Sequence, residues 1–387
     1  MSAHGALEGR EIVLAVTGSI AAVDAVRLAH ALRRKGARVQ AVMSMAACGI
    51  IHPDAMTYAT GRPAITAITG MVEHVAFCGE GGKADLLLIA PATANTLCKI
   101  ASGIDDTPVT TFATTAIGRR MPVVVAPAMH ESMFRHPGVA RCLRTLNGWG
   151  IAVVGPRMEE GKAKIADIDE IVLSCERELL GKPLSGRHVL ITSGPCRESV
   201  DDVRVLTTRS SGLMGRALAM QAFRLGARVT VVHNARFPLV ENVYTTDAEA
   251  MHREVLRICS TDPVDLFISA AAVSDFRPEP YHGKIPSGSP VTLQLHPLPK
   301  IITDVADRFH PPAIAFKLGD DAIHLGRAMI SDSIGLVVAN DPGVMGEADT
   351  RVTILKRDGS SREVSGTKDE VATEILRCAM ETYTLFK

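Results

Sequence analysis

Short apolar runs alternate with longer amphipathic stretches along this chain, and the alternation restarts halfway. Glu11-Ile12-Val13-Leu14-Ala15-Val16 carries five consecutive apolar residues and reads as a strand buried on both faces. Thr17-Gly18-Ser19 turns that strand into a helix from about Ala21 to Lys35, and Ala37 to Met43 forms a second strand ending at Ser44. Asp85-Leu86-Leu87-Leu88-Ile89-Ala90 is a third buried run, whose ladder Pro91 is expected to end because proline has no amide donor. Pro122 to Ala126 is a fourth strand, and Val139 to Leu146 has helical periodicity. The segment from Glu176 to Arg187 is charged and rich in Gly, Pro and Ser. Beyond it His188 to Thr192, Val229 to Val232, Asp265 to Ile268, Ile314 to Phe316, Gly335 to Ala339 and Arg351 to Leu355 read as strands. Gly212 to Leu225 and Lys368 to Tyr383 read as helices, and Arg357-Asp358-Gly359 as a hairpin turn. Such alternation implies parallel sheets covered on both faces. The chain divides near residue 182, into residues 1–181 and 182–387.

The 42 Lys and Arg residues balance the 42 Asp and Glu residues of the 387-residue chain, so nothing favours a nucleic-acid or membrane-surface partner. Affinity for phosphates must therefore come from local groups. No apolar stretch approaches the roughly 20 residues that span a bilayer, and Met1 to Arg10 lacks the order of a signal peptide. Eight cysteines, Cys78, Cys98 and Cys196 among them, are scattered without metal-ligand spacing, as in a reducing cytoplasm.

Candidate chemistry gathers where the strands end. Pro91-Ala92-Thr93-Ala94-Asn95-Thr96 follows the third strand, at the edge where open α/β sheets bind ligands. Small residues let backbone amides approach a flat ligand, and Asn95 and Thr96 add hydrogen bonds. Thr17-Gly18-Ser19 precedes a helix N-terminus suited to an anion, with Ser44 at the next strand end. This is not Gly-x-Gly-x-x-Gly, so a mononucleotide such as FMN fits better than a dinucleotide. Pro127-Ala128-Met129-His130 follows the fourth strand and offers hydrogen bonds to a carboxylate.

Thr17-Gly18-Ser19, His74-Val75, the hexapeptide, Asp105-Asp106 with Thr110-Thr111, and Pro127-Ala128-Met129-x-x-x-Met133 resemble, in that order, the FMN-dependent cysteine decarboxylases. With the second half, nearly the whole chain resembles the bifunctional phosphopantothenoylcysteine decarboxylase/phosphopantothenate–cysteine ligase family. The resemblance implies two Rossmann-like three-layer α/β domains with mainly parallel sheets. It implies FMN phosphate contacts at Gly18, Ser19 and Ser44, flavin contacts at Pro91, Ala92, Thr93, Asn95, Thr96 and Thr110, and substrate contacts at Met129 and His130. His74 matches the catalytic histidine. In that chemistry the thiol-bearing carbon is oxidised by FMN, the resulting thioaldehyde accepts the electrons left by CO2, and hydride return and protonation finish the reaction. The flap departs from the usual Leu-Ala-Cys-Gly. Glu159-Glu160-Gly161-Lys162-Ala163-Lys164 resembles archaeal members and contains no cysteine acid. Lys164, Lys162, another group or water is left as the donor, the lysines acting as acids if their pKa is lowered.

The second half resembles the ligase through Thr192 to Glu198, Asp201-Asp202-Val203-Arg204, Ser210 to Gly215, Ala270 to Pro278, Gly283-Lys284-Ile285, Pro299-Lys300-Ile301-Ile302, Phe316 and Val338-Ala339-Asn340-Asp341. The resemblance implies that a nucleoside triphosphate, CTP or ATP, with Mg2+, activates the carboxylate of 4'-phosphopantothenate as an acyl-nucleotidylate, which the cysteine amine attacks. Ser269, Ala270, Ala271, Asp275, Pro299, Lys300, Ile301, Ile302 and Phe316 match nucleotide contacts, and Lys284 the triphosphate contact. Thr208 stands where the family has an asparagine that steadies the acyl intermediate. Two family lysines are replaced by Ala328 and Asp332, with Arg327 and Lys317 as candidate substitutes. The product, phosphopantothenoylcysteine, is then the decarboxylase substrate. The alternative is an active decarboxylase with a weakened or non-catalytic ligase-like assembly domain. The resemblance also implies trimers of the flavin domain and dimers of the ligase domain, and so a homo-oligomer, a dodecamer at its simplest.

Overall fold

The computed structural model describes residues 6–288, 290–340 and 349–383. Asp341 of the Val338–Asp341 motif lies outside the described residues. The chain separates into two compact units, Met1–Gly181 and Lys182–Lys387.

The first unit is built on five parallel strands, Glu11–Val16, Arg38–Met43, Leu86–Ala92, Val123–Pro127 and Ala152–Val153. Numbered along the chain, they lie in the order 2-1-3-4-5. All six residues of the first strand are buried, Glu11 included. Its carboxylate is accommodated because Arg38 (3.0 Å) and Arg62 both pair with it. Val13, Leu87, Ile89 and Val125 pack on one side against Leu97, Ile100, Phe112 and Leu146 from the helical layer.

Two expectations are corrected here. Pro91 does not end the third strand, which continues to Ala92. The register shifts between Ile89 and Ala92, and pairing resumes from Ala92 to Pro127. The missing amide is tolerated at that irregularity, and the Pro91 carbonyl is claimed by the Thr17 hydroxyl at 2.7 Å. The first helix is not uniform either. A 3-10 turn, Ile20–Asp24, capped by Ser19, precedes the α-helix Ala25–Arg34.

The second unit carries an eight-stranded sheet. Its parallel strands His188–Thr192, Arg228–His233, Glu241–Tyr244, Leu266–Ser269, Ala313–Leu318 and Ile334–Asn340 lie in the order 3-2-1-4-5-6. Asp349–Lys356 and Ser361–Thr367 add an antiparallel hairpin at one edge. The closing helix Lys368–Tyr383 is anchored by the Tyr383 hydroxyl, which donates to Ala313 O (2.5 Å) and accepts from Gly335 N (2.7 Å). Among the described residues, no helix is long and apolar enough to cross a membrane.

Candidate functional site

In each sheet the strand order reverses beside the first strand, and the crevice at such a switch point is where open α/β sheets take ligands. In the first unit that crevice lies between Glu11–Val16 and Leu86–Ala92, between the Thr17 turn and the hexapeptide. Thr17 joins the two. Its hydroxyl donates to Pro91 O and accepts from Thr93 N at 3.0 Å. The sequence reading did not assign this role to Thr17, although a threonine between a buried strand and Gly18 was the available signal. A Cβ on Gly18 would stand 2.5 Å from the Ala46 Cβ, so the Ser19 and Ser44 turns approach backbone to backbone. Each serine hydroxyl accepts a capping amide, Ala21 N at 3.4 Å and Ala47 N at 3.2 Å. Each keeps its O–H to donate to an anion.

Within the hexapeptide, Thr93 caps the helix Ala94–Ala101 by accepting from Thr96 N (3.2 Å) and donates to the Thr96 hydroxyl (3.0 Å). Pro91, Ala92 and Thr96 are buried, and the Asn95 side chain is exposed. Thr110 is buried, and its hydroxyl accepts from Asp106 N and Thr107 N and donates to Thr107 O in the capping box of Pro108–Gly118.

His74 lies in the short helix Glu73–Cys78, with Nδ1 buried and lacking a hydrogen-bond partner. A buried imidazole nitrogen left without a partner among the described residues is costly unless something else meets it. The flap is a hairpin, Arg157–Glu159 against Lys162–Lys164, and its second strand also pairs with Met129–His130. The pairing sets His130 directly opposite Lys162 and Met129 opposite Ala163. Lys164 corrects the expectation of a lowered pKa. Hydrogen bonds to Glu159 and Glu160, both 3.1 Å, raise its pKa. That is the wrong direction for an acid at neutral pH.

The second crevice lies between His188–Thr192 and Leu266–Ser269. The Thr192 hydroxyl accepts from Ala271 N at 3.3 Å and fixes the loop beyond the facing strand. Ser193, the residue after the first strand, lies against the helix Leu213–Arg224, where a Cβ on Gly215 would meet its Oγ at 2.2 Å. A cavity of about 590 Å³ opens at this edge, lined by Thr208, the Ser210–Gly215 turn, Ser269 to Asp275, Pro299 to Thr303, Phe316 and Asn340. Most residues expected to contact nucleotide, Ser269, Ala270, Ala271, Asp275, Pro299, Lys300, Ile301, Ile302 and Phe316, thus meet in one cavity. Asp275 and Lys300 form an ion pair at its mouth. The Thr208 hydroxyl and Asn340 Oδ1 are buried there without partners. Asn340 belongs to the Val338–Asp341 motif that the sequence offered without assigning its side chain a role.

Two residues do not join the cavity lining. Lys284 is exposed on a separate loop held by Asp201 and Asp202 through Ile285 N (3.0 Å) and Gly283 N (3.1 Å). Burial opposes the Asp201 charge, yet amides of Ile285, Val203 and Arg204 hold its pKa below the usual value. The Asp201 to Arg204 motif therefore positions the Lys284 loop. The Arg327 guanidinium donates to Lys356 O (3.4 Å) and Ser360 O (3.3 Å) at the edge hairpin. Among the described residues, no group of three or more His, Cys, Asp or Glu is arranged to hold a metal.

These features define a two-unit α/β protein with a switch-point crevice in each half. A family model described as Flavoprotein matches residues 1–179, and one described as DNA/pantothenate metabolism flavoprotein C-terminal domain matches residues 184–383. The chain is 44% identical over 382 residues to the coenzyme A biosynthesis bifunctional protein CoaBC of Thermococcus kodakarensis, covering 95% of this chain and 94% of that one. It is 32% identical over 385 residues to the protein of the same description from Methanocaldococcus jannaschii, covering 96% and 93%. The solved C-terminal domain of a CoaBC protein is similar with a TM-score of 0.44 and 31% identity, over 52% of this chain and 97% of that one. The chain belongs to the family of coenzyme A biosynthesis bifunctional proteins.

Proposed function

We propose that the second unit ligates cysteine to 4'-phosphopantothenate and that the first unit decarboxylates the product, phosphopantothenoylcysteine, to 4'-phosphopantetheine. The observation that carries this reading is the pair of switch-point crevices in one chain, each bridged by a threonine hydroxyl, with a cavity at the second that gathers most of the residues expected to contact nucleotide. Family membership supports both activities and disfavours a non-catalytic second half.

The close backbone approach at Gly18 and the unpartnered His74 nitrogen suit FMN in the first unit. Bound FMN supplies a reversible two-electron oxidation of the carbon that bears the substrate thiol. Gly18 and the Ser19 and Ser44 hydroxyls take the phosphate, and Asn95 faces the ring. His74 Nδ1 takes a proton. His130 and Lys162, opposed across the flap, meet the substrate carboxylate, and the flap excludes water when it closes. With Lys164 held by two carboxylates, Lys162 is the flap group left free to donate the last proton.

In the second unit the Ser210–Gly215 turn and the following helix N-terminus take a phosphate. Asp275 and Lys300 orient the nucleotide, CTP or ATP, whose phosphates carry Mg2+. The carboxylate displaces pyrophosphate, the Thr208 hydroxyl steadies the acyl-nucleotidylate, and the cysteine amine displaces the nucleotide. Lys284 reaches the triphosphate when its loop closes.

Exposed Ile20, Met45 and Met71 in the first unit, and Val203 and Val205 in the second, support assembly through both units into a homo-oligomer, a dodecamer at its simplest. Eight free thiols support a reducing cytoplasm. The test is direct. Purified protein should carry about one FMN per chain and release CO2 from phosphopantothenoylcysteine. Protein that fails to bind added FMN would overturn the reading of the first unit.

A further inference from the structure

The helix that carries His74, Glu73–Cys78, has six residues, and isolated helices shorter than about 12–15 residues are marginal in water. Its start is strained. Val72, the residue before it, has φ 45° and ψ 52°, a left-handed conformation disfavoured for a β-branched side chain, and makes no side-chain capping bond. Such a backbone persists only where its surroundings hold it, and residues of this kind cluster at functional sites.

Contacts at both ends hold this helix. At its start the Glu73 carboxylate accepts from Thr69 N at 2.9 Å and from the Thr69 hydroxyl. The same hydroxyl accepts from Met71 N, and Thr69 O accepts from Val72 N, both at 3.1 Å. The turn that contains Val72 is thus closed onto the first residue of the helix. At the other end the chain doubles back, and Lys83 N and Ala84 N donate to Ala76 O (3.1 Å) and Phe77 O (2.9 Å). A Cβ on Gly82 would stand 2.5 Å from Phe77 O, so the return is tight. Arg119, just after the helix Pro108–Gly118, reaches this return from a separate element. Its Nη1 donates to Gly79 O at 2.9 Å and Gly82 O at 3.2 Å. The Phe77 and Phe112 rings, 6.4 Å apart, join the same two helices.

We propose that Arg119 and the Thr69–Glu73 pair are positioning groups for His74, clamping from both ends the short helix that carries it. The proposal rests on the reading of His74 as the base of the decarboxylase. A base must lie within hydrogen-bond reach of the proton it takes. A misplacement of about 1 Å can cost about 10²-fold in rate. His74 is the second residue of the helix, so slack at either end moves its imidazole. Arg119 supplies charge-assisted bonds to two carbonyls, the stronger kind of hold, and so matters more than the exposed Thr69–Glu73 pair.

The experiment uses the full FMN-loaded chain and reads amide hydrogen exchange and single-turnover flavin reduction by phosphopantothenoylcysteine. Arg119→Met should speed exchange over residues 73–84 and lower flavin reduction, each by about tenfold or more, with FMN retention and ligation unchanged. Arg119→Lys, whose ammonium still donates to carbonyls, should recover most of the rate. Glu73→Ala should act in the same direction by a smaller factor, and Glu73→Gln, which keeps an acceptor oxygen, should restore it. In His74→Asn protein, Arg119→Met should change flavin reduction by less than about twofold, because residues that act through one another are not additive. A merely structural role would cost the same factor in both backgrounds. Unchanged exchange, unchanged flavin reduction, or equal losses in the two backgrounds overturns the proposal. If Arg119→Met does not fold, Glu73→Ala carries the same cycle against His74→Asn. Faster exchange in a protein whose His74→Asn variant reduces flavin normally indicts the functional reading instead, because exchange reads the clamp independently of activity.

Discussion

In the first unit Thr17 follows the first strand, and its hydroxyl takes the amide of Thr93 beyond the facing strand; in the second, Thr192 ends the first strand and takes the amide of Ala271 in the equivalent place. At the opposite edge the echo continues. Asp85 accepts from Glu11 N at 2.8 Å and pairs with Arg10, while Asp265 accepts from His188 N at 2.8 Å and pairs with Arg187. The two switch points are thus held at both ends by the same residue types. What differs is where the charged groups stand. The first unit presents hydroxyls and backbone amides at its crevice, from Thr17, Ser19, Ser44 and Thr93. The second keeps Lys284 on an exposed loop and uses Lys300 in an ion pair.

That contrast sets the expected effects. The largest follows from Lys284→Gln, which should abolish nucleotidylate formation, read as pyrophosphate release, and leave decarboxylation of supplied phosphopantothenoylcysteine intact. Loss of both activities would mean that the units are not separable. Next, His74→Asn should retain FMN and lower single-turnover flavin reduction by about 10²-fold or more, the scale of a lost general base, without touching ligation. Near-normal reduction would make the unpartnered Nδ1 a structural accident.

Smaller effects should follow from the two glycines. Gly18→Ala forces a Cβ toward Ala46, and Gly215→Ala forces one toward Ser193. Overpacking of this kind costs about 1–3 kcal/mol. Gly18→Ala should weaken FMN retention alone, and Gly215→Ala should raise the nucleotide KM alone, both measured on the full chain. Cross-effects would break the parallel between the crevices. The smallest effect is expected from Arg327→Ala. Its bonds to Lys356 O and Ser360 O predict a lower Tm with ligase KM for nucleotide within about twofold, since a hydrogen bond of this kind contributes roughly 1 kcal/mol to stability and none to binding. A large rise in KM would return Arg327 to the nucleotide site.

Much of this architecture is legible in the sequence because buried parallel strands are continuous apolar runs. Glu11–Val16 and His188–Thr192 coincide with their expected bounds. Pro91 misled because a proline usually ends a ladder, whereas here a register shift and Thr17 absorb it. The hydrogen bonds of Thr110 and Arg327 were hidden for a different reason. Position along the chain cannot show whether a hydroxyl is already held in a capping box, or which face of a helix a long side chain leaves. Lys164 fell in the same class, because Glu159 and Glu160 were visible neighbours but only the hairpin shows that they close on its ammonium. Short strands such as Ala152–Val153 and the ribbons Arg197–Ser199 with Val205–Thr207 carry too few residues for a period to show.

The central claim is that one chain performs ligation and decarboxylation in succession. Purified protein incubated with 4'-phosphopantothenate, cysteine, Mg2+ and CTP, with ATP in a parallel reaction, tests it in a single mass measurement. The account predicts 4'-phosphopantetheine with one CO2 and one pyrophosphate per turnover, and no product when the nucleotide is omitted. Unchanged 4'-phosphopantothenate with both nucleotides, or phosphopantothenoylcysteine accumulating without CO2 release, would contradict it.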